Sequence, residues 1–167
     1  MSNPYFGMHG CWERGTRFEQ IARDILEREG YETQKSTRED DIYAHVDFWA
    51  IGKDGRAYGF DAKARKSLAR GNPAQDEWTF VEWQNTEGFP GWLVQGCDIL
   101  CFERLEDIIL VKREALLEFC KKRTDFNLHV DRASNAEYCV YSRPNRRDLI
   151  SMFRFEDLDI PYRRFSK

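Results

Sequence analysis

A pair of apolar runs joined by a tight turn constrains the fold of this 167-residue chain more than any other feature. The runs lie in Tyr43–Lys66 and are rich in Val, Phe, Trp, Ile and Tyr, with the Asp-Gly turn Lys53–Arg56 between them. Alternation with a period of two and an Asp-Gly turn are typical of a β-hairpin. Because side chains two apart on a strand share a face, Asp61 and Lys63 are predicted to point the same way, and Asp47 can face Asp61 across the pair. The hairpin therefore predicts two carboxylates and a lysine at one edge of a sheet.

These three side chains suit metal-assisted chemistry on a phosphate. Two carboxylates on neighbouring strands can share a hard divalent ion such as Mg²⁺, which prefers oxygen ligands and commonly keeps waters. Such an ion lowers the pKa of bound water and stabilises negative charge on a phosphate. Lys63 can orient or polarise the attacking water, and the Ala62 carbonyl is a candidate further ligand. A structural salt bridge between Lys63 and Asp47 is the alternative interpretation.

An amphipathic helix is predicted ahead of the hairpin. Apolar residues recur at helical spacing from Gly15 or Thr16 to a stop at Gly30, while residues 1–10 are predicted to be irregular. Glu19 lies at the edge of the buried stripe, from where its carboxylate could reach a site at the sheet rim. Alternatively, Glu19 completes a capping box with Thr16. Both roles for Glu19 stay open on the sequence.

The rest of the chain is predicted to be mostly strands. Period-two alternation and turn residues mark most of them, and a single later segment has helical spacing. The predicted elements are an edge strand at 31–34, a polar loop at 36–41, a strand at 77–84 with Gln84 near its end, a hairpin of 98–103 and 107–112, a helix at 113–122, and strands at 137–141 and 149–155. No repeat or linker divides the chain, so one domain is expected.

Two basic segments are candidates for nucleic-acid contacts. One follows the proposed carboxylates directly, a position that suggests contact with a phosphate backbone. A solvated run of charge is the alternative, and it is the commoner meaning of such stretches. The candidates are Arg65, Lys66 and Arg70 in the first segment, and Arg143, Arg146 and Arg147 in the second.

Composition excludes several classes of protein. The net charge is -3 with 33% charged residues of both signs, so bulk electrostatics do not by themselves attract nucleic acid. Five cysteines without a CxxC motif indicate buried thiols in a reducing compartment. No long apolar stretch or signal peptide is present, which predicts a cytoplasmic protein without a membrane partner. No P-loop, GxGxxG, GxSxG or HExxH motif occurs, and three scattered histidines do not argue for a triad.

The motif Asp47, then Asp61-Ala62-Lys63, resembles the PD-(D/E)xK nuclease superfamily. Glu19 on a preceding helix and Gln84 on a following strand add to the likeness, and the order of elements is similar to the αβββαβ core of that family. Val46 stands where Pro is common, and Asp61 replaces the commoner Glu, which the motif allows. The apolar stretch ILCFE and the short chain further resemble the Holliday-junction-resolvase-like branch.

The resemblance implies a fold, an activity and a set of site residues. The fold is α/β (α+β), a restriction-endonuclease-like core with a central mixed β-sheet flanked by helices at about 16–122, followed by a β-rich extension at about 124–167. The activity is that of a Mg²⁺- or Mn²⁺-dependent DNA endonuclease, selective for branched DNA. Asp47, Asp61, Ala62 and Glu19 would hold the metal, and Asp47, Asp61, Lys63, Glu19 and Gln84 would form the catalytic set.

Two other functions and one assembly state belong to the same set of expectations. The chain could be a noncatalytic nucleic-acid-binding or viral accessory protein that keeps the nuclease fold, or a sequence-specific restriction-type endonuclease. The surface beyond the core is small for sequence-specific recognition of a long duplex, because specific protein–DNA interfaces bury about 1,000 Å² or more of protein. A homodimer would double that surface, and its predicted interface lies in Phe89–Leu100 and Leu149–Phe165.

Overall fold

The structure of the chain, a computed structural model, describes residues 6–68 and 71–167, with side chains from residue 13 onward. Three α-helices and ten strands lie in the described ranges. The helices are α1 (Phe6–Arg28), α2 (Arg38–Ala44) and α3 (Arg113–Arg123), and the strands are β1 (Glu32–Lys35), β2 (Phe48–Ile51), β3 (Ala57–Lys63), β4 (Trp78–Gln84), β5 (Ile99–Glu103), β6 (Asp107–Lys112), β7 (Asp125–Val130), β8 (Cys139–Tyr141), β9 (Leu149–Arg154) and β10 (Tyr162–Ser166).

The predicted hairpin is confirmed and forms part of a six-stranded sheet, here called the first sheet. Its strand order is β1-β2-β3-β5-β6-β10, and all neighbours are antiparallel except β3 and β5. Phe48 lies opposite Phe60 across β2 and β3, and their rings stack with centroids 5.1 Å apart. Gly55 in the turn has φ +75°, a conformation that favours glycine.

A separate four-stranded sheet, the second sheet, has the order β4-β9-β8-β7. The strand predicted at 77–84 is therefore present as β4, but it does not join the hairpin. The chain leaves the first sheet after Lys63, passes through β4 and returns as β5 beside β3. A strand thus occupies the crossover where the nuclease core of the resembled family has its second helix.

Two apolar clusters hold these layers together. On one face of the first sheet, α1 buries Phe18, Ala22, Ile25 and Leu26 against Phe60 and its neighbours. On the other face, the second sheet and α3 close a cluster that is rich in aromatic rings, including Phe102, Phe119, Phe153 and Phe155. The predicted general class is confirmed as α+β, with mixed sheets flanked by helices.

Several predicted bounds were wrong. Helix α1 begins at Phe6, so residues 6–10 are helical and Thr16 lies inside the helix, where it cannot form an N-terminal capping box. The predicted polar loop at 36–41 contains the start of α2, because Thr37 accepts a hydrogen bond from the Asp40 amide and the Asp40 carboxylate reaches back to the Thr37 amide. Strands β7 and β10 had no prediction.

A glycine beside β4 gives a prediction about stability. A Cβ on Gly91 would lie 2.3 Å from the Glu82 carbonyl oxygen, which is backbone and cannot move aside. We expect Gly91→Ala to lower the free energy of unfolding by about 1–3 kcal/mol or more, and the melting temperature by roughly 2–4 °C per kcal/mol. Gly15→Ala is the matched control, because it lies in α1 with no described atom within 4 Å of the added Cβ. The change in melting temperature should have opposite signs, a decrease for Gly91→Ala and an increase for Gly15→Ala. Equal melting temperatures would contradict the close approach of Gly91 to the Glu82 backbone.

Candidate active site

The three predicted side chains meet where β2 begins and β3 ends. Asp47 directly precedes β2, and its backbone is fixed on both sides: its N–H donates to the Phe60 carbonyl at 2.8 Å, and its carbonyl accepts from the Ser36 hydroxyl at 2.8 Å. The Asp47 carboxylate accepts from the Ala62 N–H at 2.7 Å. This bond crosses from one strand of the hairpin to the other and holds the carboxylate beside β3.

Asp61 and Lys63 share a face of β3, as the alternation predicts. Asp61 is 3% exposed, and its Oδ2 atom lies 2.6 Å from the Lys63 Nζ atom. The structure therefore pairs Lys63 with Asp61, whereas the alternative interpretation of the sequence paired it with Asp47. Burial of an aspartate at this depth is costly without a cation, and the lysine supplies one.

The two carboxylates act on each other electrostatically. Burial and the negative charge of Asp61 raise the pKa of Asp47 to about 7, and the Ala62 amide and Lys63 offset only part of this rise. Close like charges disfavour simultaneous ionisation, whereas a bound cation favours it. The site is therefore one in which a positive group would stabilise the fully ionised pair.

Lys63 stays protonated at neutral pH. Burial alone would lower its pKa, but the charges of Asp61 and Asp47 outweigh burial, so the pKa is raised. Its Nζ atom also lies 4.5 Å from the centroid of the Trp92 ring, a cation–π contact, and the side chain remains 22% exposed. A protonated lysine donates hydrogen bonds and adds positive charge, but it cannot accept a proton.

Glu19 is half-buried on α1, at the same end of the hairpin. Burial raises its pKa, Lys35 and Arg23 oppose that rise, and the charge of Asp41 adds to it. The charge of Glu19 in turn contributes to the raised pKa of Asp47. Because Thr16 lies inside α1, Glu19 has no capping role, and its site role stays a prediction that its charge effect on Asp47 supports.

Gln84 does not contact this group among the described residues. Its side-chain amide donates to the Arg147 carbonyl at 2.5 Å, so its catalytic role stays a prediction. Glu82, two residues earlier on the same strand, is the acidic residue that sequence reasoning missed: its pKa is raised by burial, while Lys63 and a hydrogen bond from the Trp92 amide lower it. Strand alternation predicts that Glu82 and Gln84 share a face of β4. That this face approaches Lys63 is seen only from the path of the chain between β3 and β5.

The donor set fits a hydrated divalent ion. The Asp61 Oδ2 atom is buried and, apart from its contact with Lys63, has no hydrogen-bond partner among the described residues. Ala62 contributes its amide to Asp47, and the role of its carbonyl as a ligand stays a prediction. No group of three or more His, Cys, Asp or Glu side chains in the described part of the chain is arranged to hold a metal. A two-carboxylate site completed by waters is compatible with Mg²⁺, which keeps part of its hydration shell.

In the first basic segment, the side chain of Arg65 is committed to the fold. The Arg65 guanidinium pairs with Asp76 at 2.6 Å and donates to the Ala74 carbonyl at 3.2 Å, which fixes the loop after β3. Lys66 is exposed, and its carbonyl accepts from the Gln75 amide. Arg70 lies outside the described residues.

The second basic segment lies on the surface near the start of β9. Arg143 pairs with the fully buried Asp148, while its own side chain is 52% exposed. Arg146 and Arg147 are exposed. Contact of these residues with phosphates stays a prediction, as it does for the first segment.

Comparison of the chain with protein-family models, with curated proteins and with solved structures finds no match. In the described ranges, every helix is too short or too polar to cross a membrane.

Proposed function

We propose that the protein is a metal-dependent nuclease that hydrolyses phosphodiester bonds in DNA. The observation that carries the proposal is the junction of β2 and β3, where buried Asp61 and half-buried Asp47 lie beside protonated Lys63. The pKa of Asp47 is raised there to about 7. A carboxylate with a strongly perturbed pKa beside a second carboxylate and a cation is typical of functional sites. The motif resemblance supports the same assignment.

Each residue has a role that follows from its position. Asp47 and Asp61 would hold Mg²⁺ or Mn²⁺, and such an ion supplies an activated water and a counter-charge for phosphate. In the reaction the water oxygen forms a bond to phosphorus and the water gives up one proton. The bond from phosphorus to the bridging oxygen breaks, and that oxygen leaves with the electron pair and takes up one proton, so the proton count is unchanged. Lys63, a donor only, would orient the water and neutralise charge that develops on the phosphate. Glu19 would act on the site through a bound water or a second ion.

The substrate is proposed to be branched DNA bound by a homodimer. The predicted interface segments expose Phe89, Val94 and Tyr162, whereas Leu93 and Phe153 of the same segments are buried in the core. The exposed three are the residues available for self-association. Two copies would bring two active sites to two DNA strands.

A cleavage panel tests the proposal. Purified protein is incubated with supercoiled, linear duplex, single-stranded and four-way-junction DNA, with Mg²⁺, Mn²⁺ or chelator, and its mass in solution is measured. We expect cleavage only with metal, preference for the junction, and a dimeric mass. No cleavage of any substrate in either metal would contradict the nuclease proposal, whereas a monomer cutting a fixed sequence in linear duplex would contradict only the substrate and assembly.

A noncatalytic nucleic-acid-binding protein is the second candidate. The observation that favours it is the 2.6 Å pairing of Lys63 with Asp61, because an ion pair of this kind can stabilise a fold without doing chemistry. DNA binding that is equal with metal and with chelator, without any cleavage, would support this candidate. The restriction-type alternative has no specific observation in its favour.

A further inference from the structure

A cavity of about 480 Å³ lies on the other face of the first sheet from Asp61 and Lys63. Phe60 lines it, and Phe60 belongs to the apolar cluster under α1. Because neighbouring residues of a strand point to opposite faces, Asp61 projects away from this cavity. The cavity is therefore separate from the proposed nuclease site, and its volume is in the range of about 300–1,000 Å³ typical of small-molecule sites.

Aromatic rings form much of the cavity wall. Tyr31 follows α1, Tyr58 and Phe60 come from β3, and Tyr162 begins β10. Ile99 and Leu110 add aliphatic surface. Flat aromatic side chains are the usual partners of a nucleobase, and stacking on them contributes about 1–3 kcal/mol per base.

The charged side chains of the cavity are mostly positive. Lys53, Lys112 and Arg163 line it together with one acid, Asp54. The Asp54 carboxylate accepts from the Tyr58 hydroxyl at 3.2 Å, so its charge is partly engaged. The ammonium groups of Lys53 and Lys112 have no ion-pair or hydrogen-bond partner among the described residues.

Both lysines are exposed, and Lys53 lies at the end of α1. A Cβ added to Gly30, which has φ +89°, would lie 3.1 Å from the Lys53 Cε atom. The stem of Lys53 therefore passes close to the Gly30 backbone. An exposed ammonium group on the rim of a cavity can meet an anion while its stem covers apolar surface.

We propose that this cavity binds a nucleoside monophosphate, with the base among the tyrosines and the phosphate at Lys53 and Lys112. The two net positive charges of the lining match a phosphate monoester, which carries about −1.5 to −2 charges at neutral pH, better than a carboxylate. The aromatic walls match the base and not a free phosphate ion. The inference uses none of Asp47, Asp61 and Lys63, so it does not rest on the proposed nuclease chemistry.

Calorimetric titration in the presence of chelator tests it with adenosine 5′-monophosphate, adenosine and inorganic phosphate as probes. We expect the monophosphate to bind at least about tenfold more tightly than either other probe. The double variant Lys53→Ala/Lys112→Ala should lose about tenfold or more in affinity for the monophosphate, and Ala115→Phe, which fills the cavity wall, should do the same. Lys121→Ala/Lys122→Ala removes the same charge from the far end of α3 and should keep the parent affinity.

Each contrary result overturns the proposal in a different way. Absence of monophosphate binding at about 1 mM would contradict the proposed site altogether. Equal affinity for adenosine and the monophosphate would show that the phosphate group makes no favourable contact. Equal affinity for inorganic phosphate and the monophosphate would show that the base makes none. Affinity lost in Asp61→Asn but kept in the double lysine variant would place the ligand at the carboxylates instead. If Ala115→Phe fails to fold, as judged by circular dichroism, the lysine variant and its control decide alone.

Discussion

Asp61→Asn should reduce DNA cleavage by about 10²-fold or more while the protein stays folded, because removing a group that supports charge in the transition state typically costs this much. The substitution removes the negative charge of the most buried site residue at nearly constant volume. It leaves the ladder of β3 with β2 and β5 unchanged, since that ladder is formed by the backbone. Initial cleavage rates in Mg²⁺ measure the effect, and circular dichroism checks the fold.

A second aspartate provides the control for that experiment. Asp54 lies in the turn of the same hairpin and is exposed, so Asp54→Asn makes the same chemical change away from the site. Its cleavage rate should stay close to that of the parent. Parent-like cleavage by purified, folded Asp61→Asn protein would remove Asp61 from the proposed mechanism.

Asp47→Asn should stabilise the protein at about pH 8 without metal and should abolish its stabilisation by Mg²⁺. The pKa of Asp47 is raised in the folded state to about 7, so its contribution to stability is present at pH values below the pKa of the unfolded chain and is lost as the pH rises through about 7. Above that range the ionised group disfavours folding. We expect the variant to be more stable there by about 1–3 kcal/mol, since one pKa unit corresponds to about 1.4 kcal/mol and the paired carboxylates share the effect.

Thermal unfolding with and without Mg²⁺ separates the two parts of this expectation. An ion that binds only the folded parent at about 100 times its dissociation constant adds about 2.7 kcal/mol of stability. Between about pH 4 and 8, the parent should lose stability relative to Asp47→Asn in chelator and regain it with metal. A parent whose unfolding temperature is the same with metal and with chelator would contradict metal binding at this pair, and equal pH profiles for parent and variant would contradict the electrostatic coupling.

Local patterns were enough to predict the hairpin and the grouping of Asp47, Asp61 and Lys63. Their spacing is set by strand alternation and by one tight turn, both of which are read directly from neighbouring residues. The buried stripe of α1 was also visible, although its first residues were not, because helix starts depend on tertiary packing as well as on capping residues. Helix α2 had a capping signature at Thr37 that a run of acidic residues obscured.

The partners of the site from the second sheet could not be predicted. Alternation identifies β4 as a strand, but it does not tell which sheet the strand joins, so Gln84 was placed at the site and Glu82 was overlooked. The contact of Trp92 with Lys63 depends on the same long-range crossover. These contacts are set by topology, which residue periodicity does not encode.

The route of the chain through β4 also bears on the order in which the site is assembled. The pairing of β3 with β5 is parallel and non-local, so it cannot form until the long intervening segment closes, whereas the β2–β3 hairpin can form early. Asp61 then remains solvated in the transition state for folding and feels the low-dielectric interior only afterwards. At about pH 8 the repulsion between the two carboxylates, which raises the pKa of Asp47, would therefore accelerate unfolding rather than slow folding. Refolding kinetics of Asp47→Asn at this pH should show a slower unfolding limb with an unchanged folding limb.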